Sequence, residues 1–180
     1  MIESVLETER LVLRQFGAGD AGFVLRLLNE PSFVQNIGDR GVRTLEDAGR
    51  YLVEGPFASY QRYGHGLWLV TLKETLQPIG MCGLLKRDQL PDVDLGYAFL
   101  PEFWSRGYAH ESARAALDWA RSRGIEKVVA IVSPGNAPSI RLLEKLGFAF
   151  ESLTAMSADG PSVALYGVRL DPTPPSQRAG

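Results

Sequence analysis

Pro101-Glu102-Phe103-Trp104-Ser105-Arg106-Gly107-Tyr108-Ala109-His110-Glu111 is the stretch on which the reading of this chain turns. A strand-like run, Val93 to Leu100, leads into it, and a helix-like run, Glu111 to Arg121, leads out. A helix begins with several backbone N–H groups that lack carbonyl partners and point one way. Gly107 has no Cβ, so a ligand can approach the main chain there. Free N–H groups and the positive end of the helix dipole together form an anion site suited to phosphate. The turn is expected to hold a phosphorylated molecule.

Outward from this turn the chain alternates between helix and strand patterns. Upstream, Gly66 to Leu72 and Ile79 to Leu85 read as a hairpin, followed by a strand over Asp92 to Leu100. Earlier still, Arg10 to Phe16 alternates as a strand. Asp20 is a candidate N-cap for a helix over Ala21 to Leu28, with Val24, Leu27 and Leu28 on its apolar face. Ser32 to Val42 reads as irregular. Thr44 and Asp47 form an approximate capping box for a second helix, which Pro56 is expected to kink or stop.

Downstream, Ala109, Ala113, Ala116, Leu117 and Ala120 share one helix face suited to close packing, and Gly124 stops the helix. Glu126 to Val132 is apolar and β-branched, as a doubly covered strand should be. A short helix over Pro138 to Leu146 and strands near Phe148 to Leu153 and Val163 to Leu170 follow. The order β-α-α-β-β-β-α-β-α-β-β predicts an α/β fold of the α+β mixed-sheet kind. It has about six or seven strands with helices on both faces. One domain over 1–170 is expected, with 171–180 a disordered tail.

Composition narrows the function. Net charge is −2, without the basic signature of nucleic-acid binding. Hydrophobic residues make up 45% of the 180, yet no apolar run is long enough to span a membrane. The first ten residues are charged and lack a signal-peptide core. Cys82 is the single cysteine, so no intrachain disulfide can form, and a cytoplasmic setting is expected. Two separated histidines and one cysteine predict no metal site.

Three segments together resemble the GNAT superfamily of acetyl-CoA-dependent N-acetyltransferases, most closely its RimJ/RimL-type branch. They are Glu7-Thr8-Glu9-Arg10-Leu11-Val12-Leu13-Arg14, then Leu95-Gly96-Tyr97 with Pro101 to Ala109, then Asn136-Ala137-Pro138-Ser139 with Leu142 to Phe148. The resemblance implies a central mixed twisted sheet and acetyl-CoA as cosubstrate. It places the pyrophosphate on the N–H groups of Ser105, Arg106, Gly107, Tyr108, Ala109 and His110, with the Arg106 charge adding to them. It makes Phe99 the main backbone partner of the pantetheine arm, and has Asn136 bind that arm or orient its loop. Trp104 stands where the superfamily usually has Gln or Arg, which removes a cationic contact.

For the chemistry, the attacking amine must be neutral; an α-amine titrates near about 7.7–8.0 and a lysine-like amine near about 10.4. The resemblance implies Asp94 as general base, directly or through water. A backbone N–H in Tyr97–Phe99 is the natural oxyanion donor. Many superfamily members carry a tyrosine acid four residues after the position of Ser139; here that residue is Leu143, and Ser139 is the expected acid. Asp88, Asp92 and Asp94 also read as a solvated carboxylate run, and Ser139 as a helix-capping residue. Glu111 suits the first turn of a helix. His65 reads as a loop histidine and Cys82 as core. The expected reaction is direct transfer to a primary amine, on a protein N-terminus or a small molecule, with a homodimer as the branch's habit. A non-catalytic acyl-CoA-binding or protein-interaction module on the same fold remains open. Another nucleotide-phosphate enzyme is the weaker third reading, for want of the motifs such sites need.

Overall fold

The computed structural model describes residues 4–171, so the expected tail lies outside it apart from its first residue. Its first elements are an antiparallel pair, β1 (Ser4–Glu7) and β2 (Leu11–Arg14), where alternation predicts one strand over Arg10–Phe16. Thr8 closes the turn between them. Its N–H donates to the Leu11 carbonyl at 2.9 Å, and its hydroxyl accepts from the Leu11 N–H at 3.0 Å.

The first helix, α1 (Ala21–Leu28), buries Val24, Leu27 and Leu28 as its spacing predicts. Asp20 precedes it but makes no capping bond. Its carboxylate takes the Gly17 N–H at 2.7 Å and the Arg14 guanidinium at 2.8 and 2.9 Å. The segment expected to be irregular contains α2 (Pro31–Asn36). Pro31 sits in its first turn, where a missing N–H costs nothing. In α3 (Leu45–Leu52) the capping box forms: Thr44 Oγ1 accepts from the Asp47 N–H at 3.1 Å, and Asp47 Oδ2 from the Thr44 N–H at 3.0 Å. Pro56 does not stop this helix. Val53–Phe57 widens into a π-helical turn and runs on into α4 (Ala58–Tyr63). A proline ring in a regular α-helix collides with the carbonyl four residues back, and the wider turn relieves that collision.

The hairpin appears as β3 (Leu67–Leu72) and β4 (Pro78–Leu85), and β5 (Val93–Phe99) follows. Then come α5 (Tyr108–Ser122), β6 (Lys127–Val132), α6 (Ala137–Lys145), β7 (Ala149–Ala155) and β8 (Ser162–Arg169). They form one eight-stranded mixed sheet, ordered β1-β2-β3-β4-β5-β6-β8-β7, with helices on both faces. The extra strand over the expected six or seven is β1. Every pairing is antiparallel except β5 with β6.

The small residues of α5 do what their size suggests. Ala113, Ala116 and Ala120 are fully buried, so the helix lies close on β4 and β5. Trp119 of α5 packs edge-on against Trp68 of β3, with ring centres 5.2 Å apart. Gly124, at φ +78°, ends the helix. The N–H groups of Gly124 and Ile125 return to the carbonyls of Arg121 and Ala120, both at 3.1 Å, the two bonds of a Schellman stop.

Candidate functional site

The strands β5 and β6 pair only at Val93–Val128 and Asp94–Val129. Beyond that point β5 continues beside β4 and β6 beside β8, so a gap opens inside the sheet. The Leu100 N–H donates to the Ile79 carbonyl at 2.9 Å. Antiparallel alternation then turns Ala98 and Gly96 toward β4, and the N–H and C=O groups of Tyr97 and Phe99 toward the gap. An unpaired strand edge of this kind suits an extended, amide-bearing ligand. The Phe99 carbonyl is already engaged, because the Trp104 indole N–H donates to it at 2.9 Å. Trp104 therefore does more than stand in for a lost cation: it covers the carbonyl at the end of that edge.

A short 3-10 turn, Pro101–Phe103, carries β5 toward α5. Ser105 and Gly107 both take positive φ, +59° and +81°, which folds the chain back on itself. In the helix that follows, the Glu111 N–H is 3.0 Å from the Gly107 carbonyl. The amides of Tyr108, Ala109 and His110 come before that first helical bond and project from the helix end, with the positive pole of the dipole behind them. Ser105, Arg106 and Gly107 are exposed, and Tyr108, Ala109 and His110 half-buried. The Arg106 guanidinium leans over the Phe103 ring, 5.8 Å from its centre.

Arg10 supports this turn from behind, a role its sequence position does not advertise. Its Nη1 donates to the Arg106 carbonyl at 2.9 Å, and its Nε to the Glu111 carboxylate at 2.7 Å. Its guanidinium lies 4.6 Å from the centre of the Tyr108 ring. Glu111 also accepts from the Thr8 hydroxyl at 2.6 Å and the Arg10 N–H at 2.9 Å.

Asp94 is no solvated carboxylate. Its side chain is 1% exposed, at the last paired residue before the gap, with Arg87 Nε 3.1 and 3.2 Å from its two oxygens. Burial raises its pKa, and the Arg87 charge and hydrogen bonds oppose that shift without cancelling it. Ser139 lies in the first turn of α6. Its N–H donates to Asn136 Oδ1 at 3.3 Å, so Asn136 caps the helix, and its Oγ meets the Tyr97 hydroxyl at 2.5 Å. Tyr97 and Asp94 are an odd number of residues apart on a strand paired in unbroken register, so they project from opposite faces. The gap thus has a carboxylate on one side and a hydroxyl pair on the other.

Two other candidates belong to the core. Cys82 is fully buried in β4, and burial pushes its thiol up to about 12, against a weaker pull from Ser112. His65 lies in the loop before β3, as its neighbouring glycines suggest, but is only 8% exposed. Its Nδ1 donates to the Leu84 carbonyl at 2.7 Å, and its ring lies near Tyr63 and Trp119. Among the described residues no cluster of three or more His, Cys, Asp or Glu is arranged to hold a metal ion. Among them, too, no helix is long and apolar enough to cross a membrane.

Residues 10–149 match the profile of the Acetyltransferase (GNAT) domain family. Two curated proteins of Bacillus subtilis (strain 168) are similar. YkkB, described as an uncharacterized protein, is 37% identical over 49% of this chain, and the match spans only 53% of YkkB. YoaA, described as an uncharacterized N-acetyltransferase, is 28% identical over 83% of this chain and 85% of its own. Among solved structures, an acetyltransferase from Agrobacterium tumefaciens str. C58 superposes with a TM-score of 0.78 at 28% identity, covering 93% of this chain and 95% of that one. The fold likeness extends to RimL, a ribosomal L7/L12 alpha-N-protein acetyltransferase solved with coenzyme A. Its TM-score is 0.82 at 17% identity, covering 94% of this chain and 99% of that one.

Proposed function

The chain belongs to the GNAT acetyltransferase family and is an N-acetyltransferase; from that premise we propose that it moves the acetyl group of acetyl-CoA to a primary amine by direct attack in a ternary complex. The observation that carries this reading is the continuity from the β5–β6 gap, along the Tyr97–Phe99 edge, to the open amides of Tyr108, Ala109 and His110. A diphosphate suits the amides, and the two amide groups of a pantetheine arm suit the strand edge. An arm running from the turn toward the closed end of the gap brings its thioester to the level of Asp94 and Ser139.

Each residue then has a task. The Tyr97 or Phe99 N–H donates to the carbonyl oxygen as charge develops there. The amine nitrogen bonds to the carbonyl carbon, and its surplus proton passes to Asp94. Because Asp94 is 1% exposed, a water carries that proton. The carbon–sulfur bond breaks with its electron pair on sulfur, and the Ser139 hydroxyl supplies the hydrogen that sulfur takes. A covalent acetyl-cysteine route is disfavoured by the raised pKa and full burial of Cys82. The acceptor is a peptide α-amine or a small-molecule amine.

The test is to incubate the protein with acetyl-CoA and a panel of peptides with free N-termini, polyamines and aminoglycosides. The expected result is thiol release that needs both protein and one class of amine, with the acetylated amine seen by mass spectrometry. A protein that gives no binding heat with acetyl-CoA in calorimetry overturns the reading.

A further inference from the structure

The hydroxyl oxygens of Tyr97 and Ser139 lie 2.5 Å apart, joining β5 to the first turn of α6 across the gap. Two hydroxyls this close share one hydrogen, so one donates and the other must aim its own hydrogen elsewhere. The Ser139 carbonyl is also near Tyr97 Oη, but at 3.4 Å it competes poorly. Leu143, one helical turn further along α6, is 1% exposed and offers no proton.

We propose that Tyr97 is a positioning residue for the leaving-group side of the reaction: its hydroxyl donates to Ser139 Oγ and so directs the Ser139 hydrogen into the gap, toward the departing sulfur. The inference rests on the acetyl-CoA reading above. Burial, opposed by the bond to Ser139, pushes the Tyr97 phenol up to about 12, so Tyr97 keeps its proton and remains a donor. Cys82, opposite Tyr97 in the β4–β5 register, is a neutral thiol, and Asp94 with its Arg87 partner projects from the other face. Neither puts a charge on the Tyr97 side. In the step itself, the Ser139 O–H bond breaks as the S–H bond forms, water returns a proton to the Ser139 oxygen, and the proton that Asp94 took from the amine passes to the hydroxide so left, which restores both residues. Tyr97 is unchanged throughout.

The test needs no acceptor. Coenzyme A is bound to the wild-type protein and to Tyr97→Phe, Ser139→Ala, Ser139→Thr and the Tyr97→Phe/Ser139→Ala double variant, and its thiol is titrated by ultraviolet thiolate absorbance. The Kd is measured separately by calorimetry. A hydroxyl aimed at sulfur stabilises the thiolate, so the bound thiol titrates below free coenzyme A in the wild type. Tyr97→Phe and Ser139→Ala raise that value by about one pH unit, the size of one hydrogen bond to a charged group. The double variant raises it no further, and Ser139→Thr restores it. Tyr97→Phe titrating with the wild type overturns the inference, as do additive shifts in the double variant, while the calorimetric Kd still upholds the cofactor reading. No binding heat with coenzyme A in any of the proteins overturns both.

Discussion

Glu111 and Arg10, 101 residues apart in sequence, join their side chains at 2.7 Å beneath the glycine turn. The pair fastens the start of β2 to the first turn of α5, with the Arg106 carbonyl and the Thr8 hydroxyl in the same cluster. Arg10 is 43% exposed in its side chain, so solvent screens the charge attraction. The hydrogen bonds to Glu111, whose side chain is 18% exposed, carry more of the effect.

Glu111→Gln is expected to cost about 1 kcal/mol of stability, which for a chain of this size lowers Tm by about 2–4 °C. Burial raises the Glu111 pKa, but the Thr8 hydroxyl, the Arg10 N–H and the Arg10 guanidinium together outweigh it, and the net shift is downward from 4.5. A lowered carboxylate contributes stability above its unfolded pKa and loses it as pH falls through the folded one. The gap between wild type and variant should therefore be full above pH 4.5 and close below it. Thermal melts across that range check both points, and a gap that widens in acid refutes the assignment.

Gly107→Ala tests the turn itself. Its φ of +81° is strained for any residue with a side chain, and the new Cβ would stand 3.2 Å from Arg10 Nη2. The expected cost is about 1–2 kcal/mol. Acetyl-CoA affinity should fall by more than Glu111→Gln lowers it, because the strain falls on the main chain that aims the open amides, and the methyl crowds the Arg10 guanidinium that holds the turn from behind. Calorimetry on both variants decides; equal affinities mean that the main chain at Gly107 does not grip the ligand.

Much of this turn was legible from local rules. Gly107, Gly124 and Gly147 all adopt the positive φ that their places at helix ends suggest. Ala113, Ala116, Leu117 and Ala120 of α5 and Val128, Val129, Ala130 and Val132 of β6 are buried as their patterns predict, while Ala109 and Ile131 are half-buried. What escaped depends on distant partners or on signals that point two ways. Ser32 to Val42 reads as irregular, yet Pro31 in the first turn starts α2, which runs to Asn36. The local rule for Pro56 predicts a kink or a stop, and the helix instead runs on through a π-helical turn in which that proline is buried. β1 is four residues long with both ends exposed, so it shows no alternation to read. Asp88, Asp92 and Asp94 look alike in sequence, and only the pairing of β5 shows that Asp94 alone is buried. Arg10 and Tyr97 owe their roles to contacts 96 and 42 residues away, which no spacing rule reaches.

Asp94→Asn separates activity from stability. If Asp94 takes the amine proton, its loss lowers kcat by about 10²–10⁴-fold. Its folded pKa is raised, chiefly by burial, so its contribution to stability is present below 3.8 and is lost as pH rises through the folded value. At neutral pH the buried charge is a liability, and Asp94→Asn should melt higher than the wild type. Arg87→Met removes the opposing charge and should move the acid limb of the kcat profile to higher pH. A profile that stays in place in Arg87→Met means that another group sets that limb.

Trp104→Phe isolates the indole that closes the ligand edge. The Trp104 N–H donates to the Phe99 carbonyl at 2.9 Å, although the residue is 49% exposed. Phenylalanine keeps most of the apolar surface and removes only the donor. Water reaches a carbonyl at this half-open position, so the loss should stay near about 1 kcal/mol. The freed carbonyl now lies on the edge beside the Phe99 N–H, where a pantetheine N–H can pair with it. Stability should fall while acetyl-CoA affinity holds or improves. A drop in affinity that matches or exceeds the drop in stability would mean that the indole contacts the ligand directly, and calorimetry beside thermal melts distinguishes the two.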